Sequence, residues 1–199
     1  MHRPDLRRTI LFAVVVLAAG LLAGGVVAAR FALPGSTDEL DRALRVGALE
    51  KVSDIPAAPG TSRRAVFVQR SGGLVCLWDA PSATSLTRQG GCNLESDPLA
   101  GGELFVAFSF DGGPAIADVT DARLIGLASA DVARVQVVMS DGSRRAAPVT
   151  RARIGSSEYR SFGYRIRPSD LRRAIGPTGV VALDASGREI DREETGFDE

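Results

Sequence analysis

Histidine, cysteine and carboxylate side chains are the groups through which this chain could do chemistry. The sequence of 199 residues has one histidine, His2, and it precedes a long apolar run. A Ser-His-Asp or Cys-His mechanism needs an imidazole to take the proton of the nucleophile, and histidine-rich zinc sites need the same side chain as a ligand. Residues 30–199 contain no histidine, so we exclude these hydrolase mechanisms and histidine-rich zinc sites for this part of the chain. A Ser–Lys dyad would have to use Lys51, the only lysine.

The two cysteines, Cys76 and Cys92, predict a disulfide. Two cysteines in an exported domain most often pair, and closing a loop of about 15 residues stabilises a fold by roughly 3 kcal/mol. The alternative is a redox-active or nucleophilic thiol, which needs a nearby cation or imidazole to stabilise the thiolate. Because no histidine is available, we favour the structural disulfide, which would tie residues 80–91 back to the sheet.

Carboxylates in segments rich in glycine and proline are the remaining candidates for catalysis or metal binding. They are Glu95 with Asp97, Asp111, and Asp118 with Asp121. A glycosidase holds two such groups about 5–10 Å apart across a sugar-binding cleft, and carboxylate oxygens also bind Ca²⁺. Aspartate is equally common in such segments as a turn former. We therefore assign no catalytic residue, no cofactor-binding residue and no metal ligand from the sequence.

The charges of the chain balance, with 24 basic and 24 acidic side chains. A neutral chain has no electrostatic footprint for nucleic acid, so no nucleic-acid partner is expected. Arginine pairs at 63–64, 144–145 and 172–173 are predicted to lie at solvated edges. The glycine pairs, such as 90–91, lack the spacing of a phosphate-binding loop and are expected in loops.

Residues Ile10–Ala29 form a run of 20 without a charged side chain. A helix rises about 1.5 Å per residue, so this run is long enough to cross the ~30 Å hydrocarbon core of a bilayer. Arg3, Arg7 and Arg8 precede the run, and an excess of arginine on one side predicts that this side stays in the cytoplasm. The sequence thus predicts a single-pass membrane protein with a cytoplasmic tail at residues 1–9 and an extracytoplasmic C-terminal domain.

The main alternative to this anchor is a cleaved signal peptide. Cleavage after Ala29, at a run of small residues, would release a secreted protein. If the helix is retained, Gly20 and Gly24 have the spacing of a close helix–helix contact and indicate a homodimer through the membrane.

The exported part is predicted to be mainly β, with an antiparallel β-sandwich or barrel-like domain that follows the transmembrane helix. Residues 30–60 are expected to form a juxtamembrane helix, from Ser36 to about Val52, and a linker. Residues 61–193 would form the β-rich domain, with a split into two subdomains near residue 122 as an alternative, and 194–199 a frayed tail. The expected strands are Ala65–Arg70, Leu74–Asp79, Glu103–Phe110, Leu124–Ala128, Arg134–Ser140, Ser143–Thr150, Tyr159–Arg167 at a sheet edge, Val180–Asp184 and Arg188–Ile190.

The segments LIGLASADVARVQVVMSDGS and VVALDASGREI, where a strand meets a turn with Asp and Gly, carry a resemblance. The stretch Leu124–Asp191 resembles a bacterial immunoglobulin-like β-sandwich module. The order of an arginine-rich start, an apolar helix and a two-cysteine β domain resembles uncharacterised membrane-anchored envelope proteins of actinobacteria. The resemblance implies an adhesive or spacer unit of the cell envelope without catalysis.

Together these features predict a non-catalytic, membrane-anchored extracytoplasmic module that binds or supports an envelope protein or the cell wall. One alternative is an envelope hydrolase that uses carboxylates. Another is a sensing subunit, which would have to act through a membrane partner because about nine residues before the apolar run are too few for an output domain.

Overall fold

The computed structural model describes residues 49–71, 74–85, 87–93, 98–99, 102–112 and 118–195. The apolar run with Gly20 and Gly24, the predicted helix start at Ser36, and the acidic pair Glu95 and Asp97 lie outside these residues. Within the described ranges, no helix is long and apolar enough to cross a membrane.

Twelve strands and one short helix make up the described part of the chain. They are β1 Leu49–Ile55, β2 Arg64–Ser71, β3 Leu74–Ala80, β4 Gln89–Asn93, β5 Leu104–Gly112, β6 Val119–Ser129, β7 Arg134–Met139, β8 Arg144–Ala147, β9 Val149–Ile154, β10 Ser157–Arg165, α1 Pro168–Leu171, β11 Pro177–Leu183 and β12 Glu189–Glu194. Three four-stranded sheets result: sheet A in the order β1-β2-β3-β4, sheet B in the order β5-β6-β10-β9, and sheet C in the order β12-β11-β7-β8. All strand pairs are antiparallel, which confirms the prediction of a mainly β, antiparallel fold.

Sheet B packs against sheet A with one face and against sheet C with the other. The A/B core consists of Ile55, Val66, Val68, Val75, Leu77, Ala107, Ile125, Leu127 and Ile154. The larger B/C core includes Leu124, Val135, Val137, Phe162, Val180 and Ala182. Because successive side chains of a strand point to opposite faces, β6 supplies alternate residues to two cores. Positions 121–128 are therefore buried without interruption.

Two hairpins in sheet C follow the turn chemistry that the sequence indicates. Between β7 and β8, Gly142 has a φ of 78°, and the Asp141 carboxylate accepts a hydrogen bond from the backbone N–H of Ser143 at 2.9 Å. Between β11 and β12, Asp184 accepts from the N–H of Ser186 at 2.9 Å. Hydrogen bonds from the Ser186 hydroxyl and the Arg188 N–H lower the pKa of Asp184 to about 2. Aspartate that bonds the backbone two residues on is the expected stabiliser of such turns.

The predicted helix is wrong over Leu49–Val52, because this segment belongs to β1. The strand pairs with β2 from Leu49 opposite Gln69 to Ile55 opposite Arg64, with an irregular register between Lys51 and Ser53. Ile55 enters the A/B core, and the Ser53 hydroxyl lies 2.7 Å from the Ser161 hydroxyl of β10. The hydrogen bonds between β1 and β2 outweigh the weak helical spacing of apolar residues in this segment.

The expected edge strand near Tyr159–Arg167 is in fact internal. β10 lies between β6 and β9, and its last five residues are buried. The predicted strand Ser143–Thr150 divides at Pro148 into β8 of sheet C and β9 of sheet B. Proline has no N–H for a ladder hydrogen bond, so the chain changes sheets there.

The glycine pair 90–91, which was expected in a loop, belongs to β4, with the sequence QGGCN. A Cβ atom built on Gly90 would lie 1.8 Å from the carbonyl oxygen of Leu77. Glycine therefore allows the backbones of β3 and β4 to approach at this point, which strand propensity does not reveal.

The chain does not divide near residue 122. β6 runs through this position and pairs with β5 on one side and with β10 on the other. Of the predicted frayed tail at 194–199, Glu194 still belongs to β12. The short helix α1 has Arg167 as its N-cap, and no side chain caps it.

Candidate functional site

At one end of the A/B interface, charged side chains replace the apolar ones. In β2 the inward series Val68, Val66 continues to Arg64, and in β3 the series Val75, Leu77 continues to Asp79. In β6 the inward series from Leu127 and Ile125 continues in the same way to Arg123 and Asp121. We call this group the charged cluster; it consists of Arg64, Asp79, Ser109, Asp111, Asp121, Arg123 and Arg165.

Asp79 is the centre of the charged cluster and is fully buried. Its Oδ1 accepts a hydrogen bond from Arg64 Nε at 2.5 Å. Its Oδ2 accepts from Arg123 Nε at 2.5 Å and from the Ser109 hydroxyl at 2.6 Å. Because each carboxylate oxygen serves a different arginine, neither guanidinium forms the two parallel bonds of a bidentate pair with Asp79.

Arg123, also fully buried, joins Asp79 to two further carboxylates. Its Nη1 donates to Asp111 Oδ2 at 2.9 Å and to Asp121 Oδ2. Asp111 and Asp121 face each other across the β5–β6 ladder, so one nitrogen reaches both. Burial alone would lower the pKa of Arg123, but the bond to Asp111 and the charges of Asp79 and Asp121 raise it above its usual value.

Arg165 connects the charged cluster to the loop between β1 and β2. Its Nη1 donates to the Thr61 hydroxyl, and its Nη2 donates to the carbonyl oxygen of Ser62 at 3.1 Å. Its Nε lies 3.4 Å from Asp121 Oδ1. Burial lowers the pKa of Arg165, and the charge of Asp121 opposes this effect.

The formal charges of the charged cluster cancel, with three arginines against three aspartates. Only the Asp111 side chain is substantially exposed, at 44%, while the side chains of Asp79 and Arg123 are at 0%. Buried ions are tolerated when they are paired and hydrogen-bonded, and removal of one partner is far more costly than replacement of the whole group. The arrangement therefore joins five strands of two sheets, β2 and β3 of sheet A with β5, β6 and β10 of sheet B, and its carboxylates are already engaged by arginine.

The predicted disulfide between Cys76 and Cys92 is confirmed. The two residues are directly opposite in the β3–β4 register, with their Cα atoms 3.9 Å apart. The disulfide therefore joins neighbouring strands rather than a loop to the sheet. It lies on the face of sheet A that points away from the charged cluster, as does Trp78, whose ring nitrogen donates to Gln69 at 2.9 Å and whose ring lies under Arg88 at 5.0 Å.

Of the carboxylates singled out in the sequence, the structure brings Asp111 and Asp121 together and leaves Asp118 exposed. Sequence reasoning missed Asp79, Arg123 and Arg165, and its placement of Arg64 at a solvated edge is wrong. A signal was available for Arg64 and Asp79. Each continues the inward alternation of a predicted strand by one more step, which marks it as a buried charge that needs a partner.

A shallow groove of about 440 Å³ lies where β1 of sheet A approaches β9 of sheet B. It is lined by residues 51–54 and Pro56, with Pro148 and Thr150 opposite. Lys51 Nζ binds Asp54 Oδ1 at 2.7 Å, and the Ser53 hydroxyl bonds Ser161. The groove thus holds the only lysine next to a serine, but each is engaged by another residue and they do not form a Ser–Lys dyad.

No group of three or more histidine, cysteine, aspartate or glutamate side chains within the described ranges is placed to hold a metal ion. Comparison with known proteins identifies no relative of the chain. No family model matches it. No curated protein and no solved structure is significantly similar to it.

Proposed function

We propose that the chain is a non-catalytic, membrane-anchored module of the cell envelope whose extracytoplasmic β domain binds or supports an envelope protein or the cell wall. The observation that carries this proposal is the charged cluster. Its carboxylates are hydrogen-bonded to arginines in an arrangement between two sheets, so each is engaged by a structural partner.

Two features support the extracytoplasmic location. Cross-strand disulfides form and persist in oxidising compartments, and the Cys76–Cys92 pair closes such a bond within sheet A. The apolar run Ile10–Ala29 with arginines before it supports a membrane anchor, with the cytoplasm on the N-terminal side. Release by cleavage near Ala29 is the alternative to anchoring within this proposal. The immunoglobulin-like character of Leu124–Asp191 also belongs to the proposal; it is supported by the division of β6–β12 between two facing antiparallel sheets.

A second candidate function is a hydrolase that uses carboxylates, because Asp111 and Asp121 converge at the exposed end of the charged cluster. A glycosidase needs one of two such groups to act as an acid and the other to activate water or attack the substrate. Here both carboxylates accept a hydrogen bond from the same nitrogen of Arg123. The groove beside Lys51 does not supply a second pair, because Asp54 is the only carboxylate in its lining.

Intact mass spectrometry of native protein from membrane and soluble fractions tests the location. We expect full-length chain in the membrane fraction, with a mass that shows no free thiol on Cys76 or Cys92. A soluble form that begins near Arg30 would show that the apolar run is cleaved off and that the protein is secreted rather than anchored. Free thiols in the native protein would contradict the extracytoplasmic location.

Incubation of the purified protein with isolated cell wall tests the function itself. We expect the wild-type chain and Asp111→Asn to sediment with the wall to the same extent and to release no soluble fragments. Release of fragments by the wild-type chain, abolished in Asp111→Asn but not in the exposed neighbour Asp118→Asn, would overturn the non-catalytic proposal in favour of the hydrolase.

If the wall does not retain the protein, an envelope protein is the expected partner. Amine-reactive crosslinking in intact cells then reports on the groove, because Lys51 is the only lysine. A crosslinked product that is lost in Lys51→Arg, which keeps the charge but removes the reactive amine, would identify a partner at this face.

A further inference from the structure

Sheet B extends one strand beyond sheet A on the side of β1. There β1 lies on β10, since a Cβ atom built on Gly163 would be 2.9 Å from Ile55 Cγ1. At the opposite side β4 lies on β5, since a Cβ atom built on Gly91 would be 3.6 Å from Ala107 Cβ. Sheet A ends at β1, whereas sheet B continues from β10 to β9. Within the described ranges, the start of β9 therefore has no strand of sheet A above it.

The exposure of Thr150 marks this open position. Thr150 lies opposite Ser161 in the β9–β10 register, so its side chain belongs to the face of sheet B that turns towards sheet A. On that face Ser161 is buried against Ser53, whereas Thr150 is exposed. The groove of about 440 Å³ between β1 and Thr150 is thus the place that one further strand of sheet A would occupy.

The backbone of β1 presents an unpaired edge to this groove. As the terminal strand of sheet A, β1 pairs with β2 on one side and with no other strand of the described part of the chain. Such an edge is a template for another strand. The groove follows β1 along residues 51–54, which corresponds to about 13 Å of extended chain. Pro56 and Pro148 also line it, and because proline has no N–H for a ladder, they restrict an added strand to about this length.

The side chains of β1 give the groove a charge pattern. The irregular register between Lys51 and Ser53 turns Lys51 and Asp54 to the same outer face of sheet A, opposite Phe67 and Ala65. Lys51 Nζ binds Asp54 Oδ1 at 2.7 Å, and the two side chains are 52% and 79% exposed. An ammonium group has three donors and a carboxylate about four acceptor sites, so each can also pair with an opposite charge on an adjacent strand.

We propose that the groove binds a short extended segment of another envelope protein, which adds to β1 as a further strand of sheet A. This inference rests on the proposed function and specifies its partner. Antiparallel addition places a basic side chain opposite Asp54 and an acidic one opposite Lys51, with a small apolar side chain between them that points inwards over Thr150. A second copy of this chain does not fit, because pairing of two β1 strands would bring β10 of that copy onto β9. The occupant is therefore a segment without a sheet of its own.

Fluorescence anisotropy of a labelled peptide, titrated with the full-length protein, tests the site. The probe is Thr-Val-Lys-Val-Glu-Val-Thr, and two analogues carry N-methyl groups either on the charged residues or on the valines. Successive N–H groups of a strand point to opposite sides, so only one analogue loses its hydrogen bonds to β1 while every side chain is kept. We expect saturable binding of the probe, at least ten-fold weaker binding of one analogue, and nearly unchanged binding of the other. Equal affinity of all three peptides, or no saturable binding, would overturn the proposal.

Charge reversal and hydrogen exchange locate the bound peptide. Asp54→Lys should weaken binding several-fold, because the basic side chain of the probe then faces a second cation. Glu158→Lys, at the other exposed ion pair with Arg153, is the matched control and should bind like the wild type. The bound probe should slow amide exchange in residues 51–54 and leave β12, a terminal strand of sheet C, unchanged. Equal weakening by the two variants, or protection of β12 instead of β1, would place the peptide elsewhere and overturn the assignment.

Failure of the strand-addition site can be distinguished from failure of the proposed function. A chain that does not bind the probe and yet sediments with isolated cell wall would remain a non-catalytic binding module, and only the addition of a strand to β1 would be wrong. Release of soluble fragments from the wall would overturn the proposed function whether or not the probe binds.

Discussion

The A/B interface and the B/C core lie on the two faces of the same sheet B, and yet they differ in chemistry. On the C side, β6 presents Ala122, Leu124 and Ala128 to a core of apolar side chains. On the A side, the alternate residues of the same strand change from Ile125 and Leu127 to Arg123 and Asp121. One backbone thus supports an apolar interface on one face and an ionic one on the other.

The difference shows how the register of the central sheet is specified. A slip of one residue exchanges the two faces of a strand, so it would place Arg123 and Asp121 in the apolar B/C core. An unpaired buried charge costs far more than a misplaced apolar side chain. As a hypothesis, the charged cluster contributes more to register than to net stability, whereas the B/C core contributes the larger share of the hydrophobic free energy of folding.

The largest expected effect comes from removal of the central guanidinium. Arg123→Met leaves Asp79 and Asp121 buried without their shared partner, and we expect a loss of about 3–5 kcal/mol in the free energy of unfolding. Urea denaturation followed by Trp78 fluorescence measures it. The triple variant Arg64→Met, Asp79→Leu, Arg123→Met removes the central group together and should recover much of the loss. A triple variant less stable than Arg123→Met would show that the ions are net stabilising and contradict the hypothesis.

The neighbouring position on the opposite face gives the matched test of the apolar space. Leu124→Ala removes a fully buried side chain from the B/C core, and we expect it to cost about 2–5 kcal/mol through lost transfer energy and a residual cavity. The same urea titration applies, with Glu158→Ala as a control at an exposed ion pair on β10, where the change should stay below about 0.5 kcal/mol. A loss for Leu124→Ala no larger than that of the control would mean that the B/C layer is not the principal core.

The third prediction compares the disulfide in sheet A with the charged cluster and the B/C core. Replacement of Cys76 and Cys92 by alanine removes a cross-link between residues 16 apart, which should lower the free energy of unfolding by roughly 3 kcal/mol. Because β3 is also held by Asp79, we expect hydrogen exchange to accelerate in β4 while β6 and β10 remain protected. Equal acceleration in all sheets would show that the disulfide supports the whole fold rather than one edge of sheet A.

The sequence predicts the β class and most strands because alternation and turn residues are local signals. The pairs at Asp141-Gly142 and Asp184–Gly187 mark two hairpins correctly for this reason. β4 was not predicted as a strand, because its glycines are required by the close approach of β3. This contact between strands is not visible in the local sequence. β10 was placed at an edge because a strand covered on both faces has no polar side and hence no clear alternation.

Only part of the disulfide and charged cluster could be predicted from the sequence. The disulfide follows from two cysteines in an exported chain, and Asp111 and Asp121 were recognised as candidates without any indication that they meet. Their meeting depends on the β5–β6 register and on Arg123, whose role follows only from the packing of sheet A on sheet B. Long-range pairing of charges across sheets leaves no periodic trace in a single sequence.

The smallest expected effect comes from a comparison of two carboxylates, one at the margin of the A/B interface and one on sheet C. Asp111 at the A/B margin binds Arg123, whereas burial, together with Asp191 and Glu194, raises the pKa of Glu193 on β12 of sheet C. A folded-state pKa above the unfolded value favours the protonated form, so the contribution of Glu193 is fully present below the unfolded pKa of about 4.3 and is lost as the pH rises through the folded value. At pH 7 the ionised side chain therefore opposes folding.

Glu193→Gln should consequently stabilise the protein at pH 7, by less than about 1 kcal/mol because the group is half exposed and solvent screens it. The gain should disappear near pH 3.5, where glutamate is protonated in both the folded and the unfolded state. Urea titrations at the two pH values measure the difference, and Glu158→Gln at the exposed start of β10 is the control with no expected gain. A gain for Glu193→Gln of the same size at both pH values would mean that the gain arises from packing. It would then contradict the view that Glu193, unlike the paired Asp111, carries an unfavourable charge at pH 7.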